Sequence, residues 1–177
     1  MQRKTRVCFV ILILVILLSL TGCGVSFTPA AGWSGVVGQD DKLYVGSMEG
    51  RLISLDDRGA YRWSFPADDQ PRLTALYGTP AVADGRVFFG EYDDQQNRGV
   101  VYGLDMATGV AHWSKVLNGA VVSGVTVSEG IVLVGSSDNH LYALEATSGT
   151  ELWRFPTGGK VWSTPTVSGN TVYFGSM

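Results

Sequence analysis

The sequence predicts an all-β fold, namely a β-propeller of four-stranded antiparallel blades, with about three and a half blades present and a helical signal segment before them. Three observations lead to this prediction. Similar segments recur every 40 to 45 residues, which is the period of a propeller blade. Each segment contains short β-branched and aromatic runs between Gly-containing turns. No stretch after residue 24 shows a sustained helical period.

Two blocks make up each repeat. In the first block, a segment reaches a Gly 13 residues after its start. These segments start at Trp33, Tyr77, Val122 and Trp162. In the second block, which follows the first three segments, a Trp lies four residues after a Gly. Two polar insertions, around 93–97 and 68–71, account for the longer spacings, and such length variation is typical of surface loops.

Turn residues divide each repeat into four strands. Gly, Asn and Asp accept positive φ, so they mark hairpins between the first and second strands and between the third and fourth. These turns are expected at 83–85, 128–130, 168–170, 107–109 and 147–149. The resulting blades span 33–76, 77–121 and 122–161, with a half-blade at 162–177.

The N-terminus has the pattern of a secretory signal. Basic residues precede an apolar run of 14 residues, Val7 to Leu20, whereas a transmembrane helix needs about 20. Leu20-Thr21-Gly22-Cys23 resembles the bacterial lipobox, which implies a signal peptide at 1–22, diacylglycerol on Cys23 and a lipidated tether at 23–32. The protein would then be exported and anchored to a bacterial membrane, facing the periplasm or the cell exterior. An uncleaved anchor, or ordinary cleavage beside an incidental Cys, is the alternative.

The charge balance excludes nucleic acid as a partner. The chain has a net charge of −3, and removal of the signal would leave ten basic residues against 16 acidic ones. Phosphate binding needs a basic patch, which this composition does not supply. Removal of the signal and lipidation of Cys23 would also leave the domain without a free thiol or a disulfide.

The second block carries a family resemblance. Asp105, Thr108, Gly109 and Trp113 resemble the tryptophan-docking motif of pyrroloquinoline-quinone-type propeller repeats. The third repeat has Glu145, Ser148, Gly149 and Trp153 at the same spacing, and the first, one residue shorter, has Asp56, Gly59 and Trp63. The resemblance covers residues 33–177 and implies that each Trp packs between neighbouring blades. A propeller typically has four to eight blades, so we expect an N-terminal fragment of a longer protein. Closure by two copies is disfavoured, because it would leave two identical half-blades.

Other possible sites are weak. His112 and His140 occupy different blade positions, and neither has a Cys or a carboxylate at the spacing of metal ligands. We therefore expect both histidines to lie on the surface. The segment 93–97 lacks the ligand pattern of an EF-hand and is expected to be a solvated loop. Gly158-Gly159-Lys160 lacks the remaining residues of a phosphate-binding loop. Trp33 and Trp162 recur at one blade position, where they are candidates for a binding surface.

The lipobox and the repeats together resemble the family of outer-membrane-assembly lipoproteins. That resemblance implies a non-enzymatic scaffold that binds an envelope protein through its loops, without a cofactor. One alternative is a quinone-dependent dehydrogenase whose active site lies in missing blades. Such enzymes hold the quinone against adjacent cysteines and a calcium ion, and the blades contain no cysteine. Another alternative is a propeller that senses a ligand or carbohydrate.

Overall fold

The computed structural model describes Gly32 and residues 34–177, and in this part of the chain every regular element is a strand. None of the described residues belongs to a helix that could cross a membrane. The strands are β1 (Val36–Gln39), β2 (Lys42–Ser47), β3 (Arg51–Asp56), β4 (Tyr61–Phe65), β5 (Ala81–Ala83), β6 (Arg86–Asp93), β7 (Arg98–Asp105), β8 (Ala111–Leu117), β9 (Val125–Ser128), β10 (Ile131–Ser136), β11 (His140–Glu145), β12 (Glu151–Pro156), β13 (Thr166–Ser168) and β14 (Thr171–Tyr173).

The strands form four antiparallel sheets in chain order. Strands β1–β4, β5–β8 and β9–β12 make three four-stranded sheets, which we call the first, second and third blades. Strands β13 and β14 pair as a two-stranded sheet, the half-blade. The predicted all-β fold of propeller blades, with about three and a half present, is therefore confirmed. The predicted helical signal segment, Cys23 and Trp33 lie outside the described residues.

Two-residue turns join the first and second strands of the blades. In the second blade Asp84 and Gly85 have φ values of 49° and 70°, and in the third blade Glu129 and Gly130 have values of 49° and 74°. Positive φ at both central positions matches the twist of a hairpin. Glu129 adopts a conformation that usually belongs to Asn, Asp or Gly, so the flanking strands determine this turn as much as its own residues do.

Each complete blade has a register shift at the same place between its third and fourth strands. The shift lies directly beside a small residue, namely Ser54, Gly103 or Ala143. Opposite each small residue is the repeat tryptophan of the fourth strand. The fit is tight in the second blade, where a Cβ on Gly103 would lie 2.5 Å from Cε2 of Trp113. The bulge and the small residue therefore make space for the indole ring.

The hydrophobic core lies between blades. One buried cluster joins Tyr44, Leu52 and Trp63 of the first blade to Val87, Phe89 and Leu104 of the second, with Leu76 between them. Another joins the second blade to the third, and it includes Phe88, Val101, Trp113, Val132, Tyr142 and Leu144. Because a blade buries its faces only against its neighbours, stability depends on successive blade-to-blade contacts.

Candidate functional site: tryptophan contacts and inserted loops

Trp63 of β4 packs against the second blade. Its Nε1 donates a hydrogen bond to the carbonyl oxygen of Met106 at 3.2 Å. The ring covers Gly109, where a Cβ would lie 2.5 Å from Cε3 of the indole. Gly109 also has a φ of 73°, so both the space and the backbone conformation require glycine. Trp63 is consequently buried, with its polar atom satisfied.

Trp113 repeats this arrangement against the third blade. Its Nε1 donates to the carbonyl oxygen of Ala146 at 3.0 Å, and its ring covers Gly149, where a Cβ would lie 2.5 Å from Cε3. The Trp and Gly of one sequence repeat therefore do not contact each other. Instead, Trp63 and Trp113 each contact the Gly of the next blade.

The acidic residue of the motif organises the turn that contains this glycine. Asp105 Oδ1 accepts hydrogen bonds from the backbone nitrogens of Ala107 and Thr108 and from the Thr108 hydroxyl. The hydroxyl bond is the main reason why the pKa of Asp105 lies below its usual value. In the third blade, the Ser148 hydroxyl donates to Glu145. The acid thus fixes the glycine on which the indole of the preceding blade rests.

The first blade has a shorter version of this turn. Asp56 Oδ1 accepts hydrogen bonds from the backbone nitrogens of Ala60 and Arg58, and the Ala60 bond is the main cause that lowers the pKa of Asp56. No atom beyond its chain neighbours lies within 4 Å of the Cβ position of Gly59. Within the described residues, the first blade therefore has the motif glycine without an indole over it.

Trp153 occupies the same repeat position but a different environment. It is 42% exposed, whereas Trp113 is 9% exposed. It borders a groove of about 200 Å³, which is also lined by Leu133, Asn170 and Val172. Its neighbour, the half-blade, has no third and fourth strands among the described residues, so no motif glycine is present to cover the ring.

A buried arginine holds the first inserted loop. The side chain of Arg51 is 9% exposed, and its guanidinium group donates hydrogen bonds to several backbone carbonyl oxygens of the loop after β4. The acceptors are Pro66, Ala67, Asp68 and Gln70. One side chain thus fixes the path of the whole loop. Sequence reasoning missed Arg51, although its position at the start of a third strand is also basic in the other blades, as Arg98 and His140.

A buried carboxylate ties β6 to the segment that follows the first inserted loop. Glu91 accepts hydrogen bonds from the Thr74 backbone nitrogen at 2.9 Å and from the Tyr102 hydroxyl at 2.7 Å. Burial and the bond to Glu91 both raise the pKa of Tyr102. The bridge between Ala75 and Tyr92 adds a second connection. The first insertion follows β4 and the second joins β6 to β7, so both lie at the same ends of the strands.

The second inserted loop differs in part from its prediction. Residues 94–97 are exposed, as expected for a solvated loop. Asp93, in contrast, is buried and pairs with Arg98 at 3.0 Å, while it also accepts a hydrogen bond from the Gln96 backbone nitrogen. The pair closes the base of a hairpin whose strands have eight residues each, compared with six in the other blades' equivalents. We call the exposed segments 67–72 and 94–97 together the insertion rim.

The histidines lie apart, and each lies beside a carboxylate. His112 is 3.8 Å from Asp105, and His140 Nδ1 is 3.3 Å from Asp138. Sequence reasoning missed both neighbours. Among the described residues, no three His, Cys, Asp or Glu side chains form a group that could hold a metal ion. The donor set therefore does not fit the calcium site that accompanies a bound quinone.

The segment around Gly159 places a lysine beside an aromatic ring. Lys160 lies 5.3 Å from the ring centroid of Trp162, which is a cation–π contact. The Trp162 indole nitrogen donates to the Ser137 hydroxyl at 2.7 Å. Trp162 remains 44% exposed, so it stays a candidate for surface contacts.

Comparison with known proteins assigns the family. The model of the family described as outer membrane protein assembly factor BamB matches residues 24–121 and 97–176. The chain belongs to the BamB family. BamB of Nitrosomonas eutropha is 32% identical over 114 residues, which cover 64% of this chain and 25% of that protein.

Further relatives share the fold and part of the sequence. The crystal structure of BamB from Moraxella catarrhalis has a TM-score of 0.64 and 25% identity, covering 81% of this chain and 43% of that one. The quinohemoprotein alcohol dehydrogenase ADH IIB of Pseudomonas putida is 31% identical over 130 residues, covering 72% of this chain and 18% of that protein. The chain thus spans a quarter or less of the length of these two curated relatives.

The same substitution at two equivalent tryptophans, Trp113 and Trp153, should lower the free energy of unfolding by different amounts. Trp113→Leu should lower the free energy of unfolding by about 3 kcal/mol, because it removes a buried ring and leaves the Ala146 carbonyl oxygen without its donor. Trp153→Leu should cost less than about 1 kcal/mol, since that ring is half exposed. Urea unfolding of both variants measures the difference, and equal losses would contradict the proposed dependence on the next blade.

The lowered pKa of Asp105 predicts a pH-dependent contribution to stability. Because the folded state favours the ionised carboxyl, its contribution is complete above the unfolded pKa and is lost as the pH falls through the folded one. Asp105→Asn should therefore destabilise the protein by about 1 kcal/mol near pH 7, with little difference from the unmodified chain near pH 2. Melting curves across this range measure it. Asp94→Asn, in the exposed loop, is the control and should have little effect at either pH.

Proposed function

We propose that this protein is a lipid-anchored propeller scaffold, which binds another protein of the cell envelope during assembly of outer membrane proteins. The observation that carries this proposal is the match of the BamB family model to residues 24–121 and 97–176. The broad faces of neighbouring blades are buried against each other, so they are not available to a partner, whereas the loops are. Propellers commonly use loops on a rigid framework in this way.

The insertion rim is the part of the surface that fits this role best. Its two loops depart from the repeat, and buried groups hold both of them. Arg51 binds the first loop, and Asp93, which pairs with Arg98, closes the base of the second. Loops that are already ordered lose little conformational entropy when a partner binds. Most of their exposed side chains are carboxylates and amides, which suit hydrogen-bonded protein contacts, and Arg72 is the one cation among them.

A quinone-dependent oxidation is the second candidate, favoured by the 31% identity to the Pseudomonas putida dehydrogenase. The described residues do not provide a group of metal-binding side chains, and we derive no reaction step through a quinone. The scaffold function is the better supported of the two, because the BamB family model matches residues 24–121 and 97–176.

Lipidation at Cys23 would place the scaffold on a bacterial membrane. Cys23→Ser should shift the protein from the membrane fraction to the soluble fraction, because it removes the thiol that would carry diacylglycerol. Fractionation of cells in high salt measures this change, and labelling with a radioactive fatty acid should disappear with it. A variant that stays membrane-bound would contradict lipid anchoring at this residue.

Site-specific crosslinking tests the scaffold role. A photo-crosslinker attached at Gln70→Cys or Gln96→Cys, both on the insertion rim, should join the protein to a component of the outer membrane assembly apparatus, identified by mass spectrometry. The matched control is Asp84→Cys, in an exposed turn at the opposite ends of the strands. Equal crosslinking from the control position, or none from the rim, would contradict the assignment of this surface.

A further inference from the structure

The chain enters the first blade at the same end of the strands as the insertion rim. Successive strands of a blade alternate in direction, so the segment before β1, the segment after β4 and the β6–β7 connection share one end. The last two of these contain the rim, and we call this end the rim end. The β1–β2, β3–β4 and β7–β8 turns lie at the opposite end.

A glycine fixes the place where the chain enters. Gly32 is buried and has a φ of 108°, and a Cβ on it would lie 2.3 Å from the carbonyl oxygen of Leu76. Both the space and the backbone conformation therefore require glycine. Leu76 belongs to the segment that directly follows the first inserted loop, where the Leu73 backbone nitrogen donates to the carbonyl oxygen of Gly50 at 2.9 Å. The path into the fold is thus fixed beside the insertion rim.

The number of residues before this point limits how far the rim can lie from a lipid anchor. Cys23, the proposed lipidation site, precedes Gly32 by nine residues. Nine residues span at most about 30 Å in any conformation. Strands β6 and β7 have eight residues each. A strand of that length measures about 26 Å from end to end. With the opposite end against a membrane, nearly the whole reach would be used only to pass along the blade.

We propose that the anchored protein stands with its rim end toward the membrane, where the insertion rim binds the part of a protein partner that lies within about 30 Å of the bilayer. The inference rests on the proposed lipid anchor and scaffold function, to which it adds an orientation. The turns that contain Gly59 and Gly109 then face away from the membrane.

The charge of the insertion rim favours a protein over lipid as its occupant. The rim exposes the carboxylates of Asp68, Asp69 and Asp94, whereas its one exposed cation, Arg72, lies 3.5 Å from Glu49. Anionic lipid headgroups attract basic segments, so they repel a surface with this excess of carboxylates. A protein surface that offers hydrogen-bond donors suits the same side chains. The rim is therefore expected to face the bilayer without lying on it.

Energy transfer to labelled lipid tests the orientation. Gln96→Cys on the rim and Ala107→Cys in the β7–β8 turn place a donor fluorophore at exposed positions at the two ends of β7. The lipidated proteins are purified from bacterial membranes and bound to vesicles of phosphatidylethanolamine and phosphatidylglycerol that contain an acceptor lipid. Because β7 is about 26 Å long, transfer from the Gln96 position should be about twofold more efficient.

A longer tether is the matched control. Insertion of about 20 Gly and Ser residues between Gly24 and Val25 adds about 65 Å of reach, so the difference between the two positions should largely disappear. A difference that stays unchanged would show that the tether does not set the orientation, and would overturn the proposal. A nitroxide quencher on the lipid headgroups should leave the Gln96 label bright, whereas strong quenching would show lipid as the occupant and overturn the docking of a protein.

The same proteins separate failure of the anchor from failure of the orientation. A chain that carries no fatty acid and does not bind vesicles would contradict the lipid anchor, and the orientation would fall with it. A lipidated, vesicle-bound chain with equal transfer from both positions, or with greater transfer from the Ala107 position, would overturn the orientation alone.

Discussion

The contact between an indole ring and the glycine of the next blade is the interaction on which the other blade contacts depend. A tryptophan supplies a large apolar area, and its single polar atom must find an acceptor when it is buried. Met106 and Ala146 provide that acceptor through their backbone carbonyls, so side-chain identity matters little at these positions. Glycine is required because the ring occupies the space of a Cβ. The second blade therefore provides the glycine for the first blade's ring and its own ring for the glycine of the third blade.

Two charged groups, Arg51 and Glu91, are buried in a fold that is stabilised mainly by apolar contacts. Burial of a charge is costly unless hydrogen bonds replace the lost hydration. Arg51 has backbone carbonyls as acceptors, and Glu91 has a backbone nitrogen and a tyrosine hydroxyl as donors. Arg51 acts on the first inserted loop, and Glu91 acts on the segment directly after that loop. The cost of their burial is therefore tied to holding the connection between the first two blades in one conformation.

The fold could be predicted from the sequence because the same pattern recurs in each repeat. Periodic Gly and Trp residues, and turns such as Asp84-Gly85, were enough to predict four-stranded blades. The partner of each ring could not be read from the motif, since Trp63 and Gly109 belong to different repeats and meet only through the blade arrangement. Arg51 and Glu91 were missed for another reason. A single charged residue in a strand is typical of an exposed position, and its burial here follows from loops that pack over it.

Packing between blades also limits where this protein can interact with others. Residues such as Leu104 and Val132, on the broad faces of the blades, are completely buried against neighbours and are unavailable to a partner. The turns that contain Gly109 and Gly149 are occupied as well, since they hold the indoles. The insertion rim takes part neither in the packing of blade faces nor in the indole contacts, because its residues lie outside the repeat. Variation can accumulate there without loss of a blade contact, which is why a common propeller framework can serve different partners through its loops.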